Sequence, residues 1–568
     1  MQILQKLGLS GDSVRLNRAV VLLGSACLAG SLALLWYLRR NSGKASEETK
    51  KTAHSGSAPS KVSRGSERVA ASKKFKENGN EFFKAGKYES ALKAFSDAIA
   101  ACPAGETQHL AVCYQNRAAT YDRLGETEKS IEDCTKALRL DKFYLKAIVR
   151  RGKAQKHLHH YQEAMDDFAY ASSVDRSGAC DLSSEMSEVI NHLAISVLEE
   201  FKEGRGPIPI RDESVLLWRS CFLNDPVLND LNNPSISNES YYERALEAVR
   251  ERRYEEVIPL LEKELPLLTE PSDILRDCVF IARFALMKED AKRICEHLEK
   301  IDQVWKSLSE DAKKQVANRR YRAIYYLLLA AINLEEINES TFDAAIELDD
   351  HDVDVYMGAS MLFSENLDFA TAMKYLDRIA DVDPNHRLVK HVFVHMKANC
   401  HLAIAVSQGD VCDTLRCIHD VHQLLVDNPD AHPILHLITG RLYYAAQNKD
   451  LARASFEKAA EALPQYSAPL YYLAMLEVED SEGSAERLST LESKMRRCLE
   501  MEAANPDALA VLAKIAVQRD AFKDALDLYR QYLSQCPLRY NRAAVVPAVI
   551  NYIQLNSLCK ALDNLATQ

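Results

Sequence analysis

Residues 111–144, AVCYQNRAATYDRLGETEKSIEDCTKALRLDKFY, and residues 145–178, LKAIVRRGKAQKHLHHYQEAMDDFAYASSVDRSG, decide the fold of this 568-residue chain. Each is 34 residues long, and they abut without a gap. The first carries Ala118, Tyr121, Gly125 and Ala137, with Cys134 where an aromatic residue is usual; the second carries Gly152, Tyr161, Ala164, Phe168 and Ala171. Working outward, a unit starting at Ser72 places Gly79, Phe82, Tyr88, Ala91, Phe95, Ala98 and Pro103 at matching offsets. Small and aromatic residues recurring at this period are the trace of stacked helix-turn-helix units. The small residues let paired helices approach and the aromatics fill the gaps between repeats. No single unit buries its own apolar stripe, so the units stack into a superhelix with a concave groove.

A helical wheel then sorts the first helix of each unit. At about 100° per residue, offsets 4, 7, 8 and 11 form the core arc, and offsets 2, 5, 6 and 9 lie on the opposite face. Lys76 and Asn80 take offsets 5 and 9 of the first unit, Asn116 takes offset 6 of the second, and Lys146 and Arg150 take offsets 2 and 6 of the third. Lys76/Asn80 and Lys146/Arg150 are i,i+4 pairs that share one helical face. An ammonium, a planar guanidinium fork and neutral amides are all donors, and the charged ones make the stronger bonds to a carboxylate. The five side chains form a candidate clamp for a peptide tail ending in acidic groups.

Lys76-Glu-Asn-Gly-Asn80, Tyr114-Gln-Asn116-Arg117 and Lys146-Ala-Ile-Val-Arg150-Arg-Gly resemble the carboxylate-clamp tetratricopeptide repeats of co-chaperones. The resemblance implies that Lys76, Asn80, Asn116, Lys146 and Arg150 hold the Glu-Glu-Val-Asp tails of the 70-kDa and 90-kDa heat-shock chaperones.

The N-terminus implies an address. Following residues 1–18, Ala19–Leu38 is an uncharged run of 20 residues, AVVLLGSACLAGSLALLWYL. At 1.5 Å per residue, a helix of that length spans roughly 30 Å, one hydrocarbon core. Trp36 and Tyr37 sit at the expected interface, and Arg39-Arg40 stop the run. Three basic residues precede it and eight follow before residue 71, so the bulk of the chain is expected on the cytosolic side. A cleaved secretory signal is the competing reading, but its apolar region would be shorter and end in small residues. Residues 39–71, rich in Ser, Lys, Gly and Glu, read as a disordered linker. The 14 cysteines are scattered without a CxxC pair, which fits a reducing compartment.

After the clamp domain of 72–178, residues 179–238 read as a connector rich in Asn, Pro and Ser turns, with one helix near 187–202. More degenerate repeats resume over 239–568, including units from Val353, Pro433 and Pro506. The expected fold is all-α: two tetratricopeptide arrays preceded by one transmembrane helix. Charge is unevenly shared. Residues 1–71 carry a net +7 and 72–178 a net +3, so the remainder carries −21 of a chain total of −11. An acidic array repels nucleic acid.

No GxxxxGK[ST], GxGxxG, GxSxG or HExxH occurs, and repeats occupy nearly the whole soluble chain, so neither an enzyme nor a cofactor is expected. His157, His159 and His160, and the pair His391/His395, lack a supporting ligand set and are not read as a metal site. Anchor, linker, clamp and second array in this order resemble the 70-kDa import receptors of the mitochondrial outer-membrane (TOM) translocase. That resemblance implies docking of chaperones that carry hydrophobic preproteins, binding of the preprotein by the 239–568 array, and transfer to other translocase subunits. No residue motif marks the client pocket. A clamp-bearing co-chaperone anchored at the endoplasmic reticulum or a plastid envelope is the alternative.

Overall fold

The computed structural model describes residues 64–566 apart from 104, 176–180, 234–239, 367, 383–433 (of which Gln423 is described), 446–447, 480–484, 504 and 536–541. The transmembrane segment at 19–38 and His391/His395 lie outside the described residues. Among the described residues every regular element is helical, and no helix is long and apolar enough to cross a membrane. They divide into two units: 64–200 with 546–566, and 201–545.

Three helical hairpins open the first unit: α1 (Arg64–Lys84) with α2 (Tyr88–Ala101), α3 (Thr107–Leu124) with α4 (Thr127–Leu140), and α5 (Leu145–His157) with α6 (Tyr161–Val174). Their boundaries follow the 34-residue phase. α1 starts eight residues ahead of Ser72, so 64–71 are helical and not part of a disordered linker. Glu67 in the first turn favours this early start by opposing the positive end of the helix dipole.

Close approach explains the small residues. A Cβ on Gly79 would lie 2.6 Å from the ring of Phe95, and one on Gly152 would lie 2.7 Å from the ring of Phe168. Sixteen residues separate each pair, and the same spacing joins Ala118 to Cys134, both fully buried. The middle repeat has thus exchanged a glycine and a ring for a methyl group and a thiol. Each hairpin turn also needs one residue in the left-handed region: Gly86 (φ 72°), Gly125 (φ 79°) and His159 (φ 62°).

A second tie recurs at the repeat period. Arg117 donates from Nε and Nη2 to the two carboxylate oxygens of Asp133 at 2.6 and 2.9 Å, and from Nη1 to Ser96 at 3.1 Å. Thirty-four residues on, Arg151 does the same to Asp167 at 2.8 and 2.7 Å, and reaches Thr135 at 3.4 Å. Each arginine therefore joins its own second helix to the preceding repeat.

Helix α7 (Ser183–Gly204) closes this stack through Lys153–Glu185 (2.8 Å), Lys156–Glu188 (2.7 Å) and the stacking of Tyr161 on His192 at 4.3 Å. The C-terminal helix Arg542–Ala566, expected within the second array, contributes residues 546–566 to the first unit instead. Ser557, fully buried, donates to Asp166 at 2.6 Å and accepts from Gln162 at 3.2 Å, while Lys560 pairs with Asp166 at 2.8 Å. A partner some 390 residues away in the sequence is invisible to local periodicity.

The second unit consists of further hairpins, among them Pro271–Met287 with Ala291–Ser307, Val353–Glu365 with Phe369–Val382, Ile434–Ala445 with Lys449–Ala462, and Pro506–Gln518 with Phe522–Gln535. Gly440 and Phe456 repeat the tight pairing of the first unit, at 2.5 Å. The connector is more ordered than its turn-rich composition suggests. It supplies helices Asp212–Cys221 and Pro226–Leu231, which bury Trp218, Val227, Leu228 and Leu231. Asp225 holds them in place: it accepts from the Trp218 indole at 3.0 Å and pairs with Arg283 at 2.7 Å.

Candidate functional site

The five candidate donors stand on the first helix of each hairpin of the first unit. Lys76 and Asn80 are on α1, Asn116 is on α3, and Lys146 and Arg150 are on α5. These three helices pack in succession. Lys76, Asn80, Asn116 and Arg150 are half-buried, and Lys146 is exposed.

Two bonds link the helices at this level. Asn116 Nδ2 donates to Asn80 Oδ1 at 3.0 Å, which leaves the Asn80 amide nitrogen as a neutral donor. Arg150 Nη1 donates to Asp122 on α3. Lys76 stands one helical turn before Asn80, and Lys146 one turn before Arg150, so each charged donor shares its face with a member of a bonded pair.

The surroundings carry a consistent electrostatic signature. The His109 imidazole is held below its ordinary pKa by burial and then by the nearby charges of Lys76 and Lys73. Its Nε2 lies 3.0 Å from Ser72 Oγ, which itself donates to the Ala98 carbonyl at 2.6 Å. Burial pushes the Cys113 thiol up to about 11 and the Cys134 thiol up to about 12, with Lys76 and Arg150 respectively pulling the other way. A high pKa makes these thiols poor nucleophiles and inert packing groups. Lys76 and Arg150 thus place positive charge beside these buried groups.

Sequence reasoning missed Asp122. Its offset, 12, falls at roughly 120° on the wheel, just outside the arc taken as groove-facing. It also missed the Arg117–Asp133 and Arg151–Asp167 ties, although a 34-residue spacing between two Arg/Asp pairs was there to be found. His159, one of the three clustered histidines, is a turn residue whose Nδ1 meets the Tyr161 hydroxyl at 2.8 Å.

Residues 111–144 match the tetratricopeptide repeat family model, the span expected for the second unit. Human mitochondrial import receptor subunit TOM70 is 26% identical over 299 residues, covering 50% of this chain and 47% of the human protein. The Caenorhabditis elegans subunit tomm-70 is 25% identical over 451 residues, covering 72% of this chain and 77% of the worm protein. The chain is similar to the TOM70 import receptors. It spans about half the length of the mammalian TOM70 proteins it matches. The crystal structure of yeast Tom70 aligns over 88% of this chain and 97% of its own, with 16% identity and a TM-score of 0.44.

Proposed function

We propose that the first unit docks the acidic C-terminal tails of the 70-kDa and 90-kDa heat-shock chaperones through Lys76, Asn80, Asn116, Lys146 and Arg150. The whole chain then acts as an import receptor of the mitochondrial outer membrane. It is held there by Ala19–Leu38 with its repeats facing the cytosol, and it takes hydrophobic preproteins from the chaperones and passes them to other subunits of the translocase. The reading assigns the chain no catalytic step.

The observation that carries the docking reading is the set of five donors on α1, α3 and α5, reinforced by the Asn80–Asn116 contact. Two carboxylates at the end of one peptide need donors spread over several helices, and single basic residues on one helix would not supply them. The similarity to TOM70 supports the import role and the membrane.

Full-length protein in detergent micelles, titrated with a fluorescent peptide ending in Glu-Glu-Val-Asp, tests docking. Losing one partner of a desolvated charged contact commonly costs about 2–5 kcal/mol. Arg150→Ala and amidation of the peptide terminus should each weaken binding more than about tenfold. Unchanged affinity in both refutes the docking site. A reporter fused to residues 1–71 tests the address, and a reticular or plastid pattern would favour a co-chaperone of another membrane.

A further inference from the structure

Resting on the docking reading above, we infer that Asp122 is a built-in competitor that occupies Arg150 until a ligand carboxylate displaces it. The two side chains are bonded across α3 and α5, with exposures of 31% for Asp122 and 29% for Arg150. Water reaches both, so a ligand carboxylate can approach the pair. Arg150 is not fully satisfied by it. Its Nε is buried without a hydrogen-bond partner among the described residues, so Asp122 engages the guanidinium through Nη1 alone.

The consequence for recognition is a threshold. A ligand carboxylate approaching Arg150 meets the charge of Asp122 beside its target, and must either replace that acid or share the outer guanidinium nitrogens with it against its repulsion. A ligand with two carboxylates recovers the loss at Lys76 and Lys146. A neutral or amidated terminus has nothing to exchange for the existing ion pair. Asp122 therefore lowers affinity for every anionic tail, and a tail with a second carboxylate makes up the loss at the two lysines. It acts through Arg150 and is a positioning residue.

Asp122→Asn in the full-length protein keeps the side-chain size and removes the charge. With a free-acid Glu-Glu-Val-Asp peptide at low salt, it should tighten binding about two- to fivefold, the range of a half-exposed ion pair. Added salt should shrink the gain. Asp122→Glu should restore wild-type affinity, and the gain should vanish in an Arg150→Ala background. Unchanged or weaker binding by Asp122→Asn, with its melting temperature intact, overturns the inference, as does an equal gain without Arg150. If the wild-type protein fails to distinguish free-acid from amidated peptide, the docking reading itself falls and takes this inference with it.

Discussion

Arg151 holds both carboxylate oxygens of Asp167, at 2.8 and 2.7 Å, across the two helices of one repeat. Burial pushes the Asp167 carboxyl above its ordinary pKa and Arg151 pulls it back, so the acid depends on its partner. Arg151→Ala should destabilise the first unit by about 3–5 kcal/mol, because it strands a buried charge. Replacing both residues by leucine should cost far less. Thermal melts of the two variants decide it, and equal losses would dismiss the dependence.

The turn at His159 requires a left-handed backbone (φ 62°) that Gly86 and Gly125 supply without strain in the other two repeats. His159→Gly should raise stability by about 0.5–1 kcal/mol, seen as a higher denaturation midpoint. A lower midpoint would mean that the His159–Tyr161 contact outweighs the strain.

Gly152→Ala should cost about 1–3 kcal/mol, since the new methyl group meets the Phe168 ring at 2.7 Å. The Ala118/Cys134 pair of the middle repeat indicates the remedy. Phe168→Cys should cost less in the Gly152→Ala background than alone, giving a coupling of at least about 0.5 kcal/mol in a double-mutant cycle. Simple additivity would refute the exchange argument.

In the second unit Asp354 accepts from the backbone N–H groups of Leu223 and Asn224, at 2.7 Å each. Burial, then the neighbouring charge of Asp352, push its carboxyl up to about 7. An acid whose folded pKa lies above its unfolded value binds its proton longer in the native state. Its contribution is therefore full at pH 4 and is lost as pH rises through about 7. Unfolding free energies of wild type should fall more steeply between pH 4 and 7 than those of Asp354→Asn, by up to about 1.4 kcal/mol per pH unit in denaturant melts. Parallel profiles would remove Asp354 from the account.

What could be read from residue order was whatever repeats. Gly79/Phe95 and Gly152/Phe168 announce the hairpin phase because a helix pair in close contact has few other solutions. The five candidate donors follow from that phase alone. Features that depend on a distant partner were hidden. Asp225 orders the connector helices through Trp218 nearby and Arg283 far along the chain, and nothing near Ser557 indicates Asp166. Asp122 was hidden for a different reason: a wheel assigns a direction to each residue, while a long arginine on the next helix can reach past that boundary.

The seating of residues 546–566 in the first unit has a temporal consequence. Residues 64–200 leave the ribosome before 201–545, yet the segment bearing Ser557 and Lys560 emerges only after all of 201–545 has been made. Domains generally fold in the order of their synthesis. Here the unit begun first is completed only after the second has been made, and Asp166 waits that long for its partners.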